Sequence, residues 1–155
     1  FEREILMEES QDTMAAFKRI DPAIQQNFFN TAVAYAVFPE VTKGGAGVGG
    51  AHGRGILYED GQPTGYVSLT QATIGLQLGG QSYSQIIFFK DRTPLRKFKN
   101  DQFEVAAQAS GVMVDEDVST NVDYENGVAI FTYDARGAMG EAAVGGKEFD
   151  FVPMP

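Results

Sequence analysis

The hydrophobic period of the sequence changes near residue 44, and this change restricts the possible folds more than any other feature. Residues 2–20 repeat apolar positions at the spacing of an amphipathic helix. Asp21 followed by Pro22 is typical of a helix start, so a second short helix is predicted over residues 22–31. Later segments alternate apolar and polar residues with the period of strands. Asp60 and Gly61 predict the turn of a hairpin, and residues 93–100 are interpreted as a helical turn that carries the basic cluster. Helices grouped before strands predict an α+β fold rather than alternating βαβ units.

Glycine is the second constraint. It makes up 18 of the 155 residues, and seven glycines fall within residues 44–55. Glycine repeated along one side of strands favours strong curvature. We therefore expect N-terminal helices followed by a strongly curved, mostly antiparallel sheet or a small barrel. The length fits one domain over residues 1–155, with the N-terminal helix at 1–20 and the core at 22–155.

Composition argues for binding rather than catalysis. The chain has no Cys, which excludes disulfides, thiolate zinc sites, iron–sulfur clusters and a thiol nucleophile. His52 is the single His and has no obvious partner for a triad or a metal. We therefore predict no enzyme activity, no catalytic residue, no metal and no cofactor. A deep pocket with carboxylates around a buried His52 would favour an enzyme instead.

Two motifs resemble ligand loops and are interpreted otherwise. Residues 45–50 match G-x-G-x-x-G, but the sequence after them is a poor helix start, so a glycine-rich strand is favoured over a dinucleotide site. Residues 115–126 resemble a calcium loop. That loop needs Gly and Glu where this chain has Thr120 and Asn126, so an ordinary acidic loop is favoured.

The net charge of −9 is unevenly distributed. Residues 1–100 hold equal numbers of basic and acidic residues, and residues 101–155 carry the whole excess. The acidic total argues against nucleic-acid binding. Residues 90–99 are nevertheless basic, and Leu95 and Phe98 lie among the cations. This pattern fits a membrane surface, where cations meet head groups and apolar side chains insert. It fits equally well a solvated turn that offsets the acidic segment.

Four segments resemble the SYLF domain family. Residues 34–55 read AYAVFPEVTKGGAGVGGAHGRG, and further matches fall at 77–81, 86–89 and 127–131. The resemblance implies a non-catalytic lipid-binding module. Eukaryotic members favour phosphoinositides, and some fungal members bind actin. Bacterial members of this compact style are typically exported and kept in the envelope, often as lipoproteins. The family's preference for basic residues maps onto Lys43 and Arg54.

These observations predict a module that docks on anionic phospholipid membranes. Its expected location is periplasmic or outer-membrane-associated, after export through a leader that is not part of this chain. The predicted head-group contacts are Lys43, Arg54, Lys90, Arg92, Arg96, Lys97 and Lys99. The alternative is a protein-interaction or envelope-structural module. Its partner would contact an exposed sheet face or the apolar side of the first helix, which carries Leu6, Met14 and Phe17.

Overall fold

The computed structural model of the protein describes residues 2–43, 49–73, 82–100, 109–112, 118–133 and 146–154. Helix α1 spans Glu2–Ile20, and a π-helical segment follows at Gln25–Phe29. Helix α2 spans Arg92–Lys99, and a 3₁₀ turn lies at Ser119–Asn121. The strands are β1 Ala34–Lys43, β2 Gly49–Glu59, β3 Gln62–Thr73, β4 Ser82–Phe89, β5 Ala109–Val112, β6 Val128–Tyr133 and β7 Gly146–Pro153. None of the described helices is long and apolar enough to cross a membrane.

The strands form one sheet in the order β5-β6-β4-β1-β2-β3-β7. Neighbours are antiparallel except for β5, which runs parallel to β6. Strands β2 and β3 are joined by a two-residue turn, in which Asp60 and Gly61 both have positive φ, as a type I′ hairpin requires. The predicted α+β class, with helix before a mostly antiparallel sheet, is confirmed.

The prediction of a strongly curved sheet or small barrel was wrong. The sheet is open, and β5 and β7 lie at its opposite edges. Its central strands β4 and β6 are buried almost continuously, because both faces of the sheet are covered. A small barrel instead closes one face around its own interior. The apolar run at residues 86–89 is typical of a strand buried on both faces, and this signal outweighed the glycine content.

Several glycines make room for rings and bulges in this open sheet. Strand β1 carries a bulge between Val37 and Glu40, where Pro39 falls, and Gly55 of β2 lies opposite it. A Cβ at Gly55 would collide with the Val37 carbonyl group. The ring of Phe151 lies directly over Gly65 in the same way. Residues 44–48, in the richest part of the glycine segment, lie outside the described residues.

Helix α1 and the π-helical segment cover one face of the sheet. The ring of Phe28 contacts those of Phe88 and Phe131 with centroid distances of 5.4 and 4.7 Å. Phe17 is fully buried, and Leu6 and Met14 are partly buried against the same cluster. The apolar side of α1 therefore contacts the sheet. The prediction that this side receives a protein partner was wrong for this reason.

Helix α2 covers the other face near the β2–β3 turn. Leu95 and Phe98 are its two buried residues, three positions apart. The Phe98 ring contacts Phe89 and Phe149 with centroid distances of 4.9 and 5.0 Å. The core therefore has two layers, one on each side of the sheet, and each described layer is closed by a helix.

Candidate lipid-binding surface

The packing of α2 decides which of its side chains reach solvent. Because Leu95 and Phe98 point into the core, Arg92, Arg96 and Lys97 fall on the outer side and are exposed. Lys90 is also exposed, just before the helix. These four residues, Lys90, Arg92, Arg96 and Lys97, are called the basic surface below.

Three of these cations have no carboxylate within ion-pair distance in the described part of the chain: Lys90, Arg96 and Lys97. Arg96 donates a hydrogen bond of 3.4 Å to the Thr93 hydroxyl, and the Lys90 ammonium lies 5.8 Å from the centroid of the Tyr124 ring. Arg92 meets Asp60 at 3.8 Å, with both side chains mostly exposed. Such a pair contributes little and exchanges readily with other anions. All four cations are therefore accessible to an external anion.

Lys99 belongs to a different environment, although sequence grouped it with the other four. Its ammonium lies 3.0 Å from the Glu59 carboxylate, and the two side chains are only 30% and 18% exposed. It also lies 5.0 Å from the centroid of the Phe151 ring. Burial alone would raise the pKa of Glu59, but hydrogen bonds from Thr64 and Lys99 and the nearby charges hold it below its ordinary value. The structure thus places Lys99 in an internal ion pair.

Arg54 lies away from the basic surface. It extends from β2 on the side of the sheet that α1 covers, and its guanidinium is 3.5 Å from Glu2 in an exposed ion pair. Helix α2 lies on the opposite face. The backbone of Lys43 pairs with Ala51 at the far end of β1 from α2, and its side chain lies outside the described residues. The structure therefore does not bring the predicted head-group residues together in one site.

The apolar residues of α2 are unavailable for insertion into a bilayer. Leu95 is 3% exposed and Phe98 is fully buried. The prediction that apolar side chains insert beside the cations was wrong, because both side chains complete the core under α2. Any contact of this surface with a membrane is accordingly electrostatic.

His52 lies in a shallow polar cleft of about 460 Å³ with Glu40, Thr42, Arg54 and Ser68. The imidazole is exposed, not buried among carboxylates. Strand β2 begins at Gly49 and so includes the last two residues of the G-x-G-x-x-G motif, where a dinucleotide site would begin a helix.

The described residues contain no group of three His, Asp or Glu side chains placed to hold a metal ion. Residues 115–117 of the calcium-like segment lie outside them. The segment continues through the 3₁₀ turn at Ser119–Asn121.

Sequence reasoning missed the acidic partners of the basic segment. Glu59 and Asp60 are contributed by the β2–β3 turn, more than 30 positions away along the chain. The Asp-Gly turn signal placed these two residues at a hairpin end. Their contact with α2 depends on how that hairpin and the helix meet, which no local pattern encodes.

Comparison with known proteins adds one distant relative. No family model matches the chain. "Beta cell expansion factor A" from Aeromonas veronii is 26% identical over 128 residues. The match covers 78% of this chain and 46% of that protein, so the chain spans about half of the relative's length.

Proposed function

We propose that this chain is a non-catalytic module of the SYLF type that binds anionic phospholipid membranes through the basic surface. The observation that carries the proposal is the outer side of α2. It presents Arg92, Arg96 and Lys97 beside Lys90, and three of these four cations lack a carboxylate partner in the described part of the chain. The name of the relative states an effect on beta cells and no ligand, so the proposal rests on the chain's own residues.

We expect the electrostatic attraction between the basic surface and an anionic leaflet to be strong enough to dock a small domain. Each cation near an anionic leaflet contributes about 1 kcal/mol. Screening limits the attraction to about 8 Å at physiological salt, so only residues facing the leaflet contribute. Because Leu95 and Phe98 stay in the core, binding should be reversed by salt.

Vesicle flotation tests the proposal. The probes are phosphatidylcholine vesicles with and without phosphatidylglycerol, each at low and high salt. We expect flotation only with phosphatidylglycerol at low salt. Equal binding to both vesicle types, or binding that survives high salt, would contradict the electrostatic mechanism.

Two variants of equal net charge separate the basic surface from charge in general. The first replaces its four cations by Ser. The control replaces four basic residues from other parts of the structure by Ser: Arg3, Lys18, Arg19 and Arg54. We expect the first variant to lose flotation and the control to retain most of it. The reverse result would place the head-group contacts on the side of the sheet that α1 covers.

We further propose a location in the bacterial envelope, periplasmic or outer-membrane-associated, which rests on the family resemblance alone. Fractionation of cells that express the complete gene tests it: recovery in the cytosol would contradict it. The alternative role, as a protein-interaction or envelope-structural module, predicts assembly without lipid. Light scattering with and without vesicles distinguishes the two.

A further inference from the structure

The outer side of helix α1 carries one continuous exposed surface. Four of its residues follow the spacing i, i+3, i+4 and i+7, which places them next to one another on a helix. They lie on the side opposite the buried residues of α1. All four are exposed, and they are called the acidic patch below: Ile5, Glu8, Glu9 and Asp12.

Ile5 distinguishes the acidic patch from an ordinary solvated helix side. It is 42% exposed, as few large apolar side chains of the described residues are. The three carboxylates around it have no cation within ion-pair distance among those residues. The cations of Arg3 and Lys18 lie instead 4.5 Å from the ring centroids of Tyr66 and Phe29. An apolar side chain inside a rim of charges has the composition of a small protein-binding surface.

The basic surface has the complementary charge and a similar length. Its helical part rises about 8 Å from Arg92 to Lys97, and the acidic patch rises about 10 Å from Ile5 to Asp12. The long stems of Arg92 and Arg96 can cover the Ile5 side chain while their charged ends reach the carboxylates. Three carboxylates then face four cations, so the two surfaces match in charge as well as in size.

The two surfaces cannot meet within one molecule. Helix α1 covers one face of the sheet and α2 covers the opposite face, so their outer sides point in opposite directions. A contact between the acidic patch and the basic surface therefore joins two copies. In such a pair one acidic patch and one basic surface stay available, so the contact is heterologous and can continue to further copies.

We propose that the acidic patch binds the basic surface of a second copy of this chain. The contact contains few apolar atoms, so charge attraction dominates it and salt weakens it. It uses the same cations that are proposed to bind lipid. Anionic membranes should therefore separate the copies, and this competition rests on the proposed function.

Carbodiimide cross-linking tests the contact, because the reagent joins carboxylates to ammonium groups that touch them. Isotope-labelled and unlabelled chains are mixed at low salt, so that links between copies are recognised by mass. We expect links from Glu8, Glu9 or Asp12 to Lys90 or Lys97 in mixed pairs, and their loss at high salt. Absence of these links at low salt would overturn the proposal.

Two variants of equal net charge separate the acidic patch from charge in general. The first carries Glu8→Gln, Glu9→Gln and Asp12→Asn. The control changes three exposed carboxylates elsewhere and carries Glu40→Gln, Asp123→Asn and Asp150→Asn. Light scattering at low salt should show association of the original chain and of the control, and its loss in the first variant. Equal loss in both variants would overturn the assignment of the contact to α1.

Ile5→Ser tests the apolar part of the contact while every charge is retained. The side chain is already 42% exposed, so the replacement should leave the fold intact. Because the contact no longer removes this apolar area from water, association should weaken about 5-fold. Unchanged association would overturn the role of Ile5.

Vesicles distinguish failure of this proposal from failure of the proposed function. An excess of phosphatidylglycerol vesicles should abolish the cross-links, and phosphatidylcholine vesicles should not. Links that persist in chains that float would overturn the shared use of the basic surface. If links form and nothing floats, the self-association stands and the lipid function fails. If the chain floats and no links form at low salt, the self-association alone fails.

Discussion

The two helices that cover the sheet are attached in different ways. Helix α1 has 19 residues and lies against a layer of aromatic rings. A buried hydrogen bond of 2.6 Å between Ser10 and Tyr58 also joins it to the sheet. Helix α2 has eight residues. It is held by Leu95 and Phe98 and by the ion pair of Lys99 with Glu59.

The outer sides of the helices differ more than their inner sides. Both helices are amphipathic, and both direct apolar residues into the core, although Ile5 of α1 is 42% exposed. Helix α1 carries five acidic and three basic residues, whereas α2 carries four basic residues and no acidic one. The comparison teaches that the apolar residues of an amphipathic helix do not reveal its function in this fold. The charges that remain outside are the informative part.

The largest expected effects come from removing the ring that holds each helix. Phe17→Ala and Phe98→Ala should each lower the free energy of unfolding by about 3–5 kcal/mol, because both rings are fully buried. Urea denaturation of each variant measures this. If Phe98→Ala cost less than about 1 kcal/mol, α2 would be a loosely attached helix, and membrane insertion of Phe98 would again be possible.

Helix α1 also makes a buried polar contact with the sheet, between Ser10 and Tyr58. The Ser10 hydroxyl donates to the Met7 carbonyl at 2.7 Å and so accepts the bond from Tyr58. Ser10→Ala and Tyr58→Phe should each cost about 1 kcal/mol. Combining them should cost less than the sum, since they remove the same bond. Additive costs in this double-mutant cycle would show that the bond does not hold α1.

The ion pair of α2 should make its attachment sensitive to acid. The pKa of Glu59 lies below its ordinary value of 4.5, so the pair stabilises the fold fully above about pH 4.5 and loses this effect as pH falls through the lowered pKa. Lys99→Met keeps the packing of the stem and should cost about 0.5–1 kcal/mol at neutral pH.

Urea midpoints at neutral pH and at about pH 3.5 measure this effect. The difference between the original chain and Lys99→Met should shrink toward the lower pH, because the ion pair is lost as pH falls through the lowered pKa of Glu59. Vesicle flotation should be nearly unchanged, because this ammonium is already paired. A loss of flotation comparable to that of Lys97→Ser would show that Lys99 also contacts lipid, as the four residues of the basic surface are expected to do.

The smallest effect is expected on the α1 side. Arg54 and Glu2 form an ion pair whose side chains are 70% and 79% exposed. Arg54→Gln should therefore change stability only slightly and leave flotation unchanged. A clear loss of flotation would mean that lipid also contacts the α1 side of the sheet, and the contrast between the two helices would no longer hold.

Local patterns predicted the elements well. The helix at residues 2–20, the Asp-Gly hairpin and the helical turn around Leu95 are all present. Each of these elements depends on residues within a few positions of one another, so it can be predicted from the sequence without knowledge of the fold. The predicted helix over residues 22–31 is instead a π-helical segment at Gln25–Phe29, and Asp21 accepts a hydrogen bond from the backbone N–H of Ala23 before it.

Contacts between distant segments were not predictable in the same way. Glycine content indicated a curved sheet, but Gly55 and Gly65 make room for a bulge and a ring instead. The cations of residues 90–99 looked alike in sequence. Only the position of the β2–β3 turn shows that Lys99 is paired, whereas Lys97 has no carboxylate within ion-pair distance among the residues that the structure describes. A polar cleft between residues 26–31 and 119–124 had no sequence signal, since its two walls are about 90 positions apart along the chain.

The bulge in β1 changes which alternate residues of the strand face the α2 layer. Before it, Ala34, Ala36 and Phe38 face the α2 layer; after it, Val41 does. Strand β1 has one residue more than β2 and β4 across the bulge, so deleting Pro39 would leave Val41 two positions after Phe38 and on the same face of a regular strand. A deletion within the regular part of β1 would instead turn apolar residues to the opposite face and should be far more damaging, and a library of single-residue deletions measures this difference.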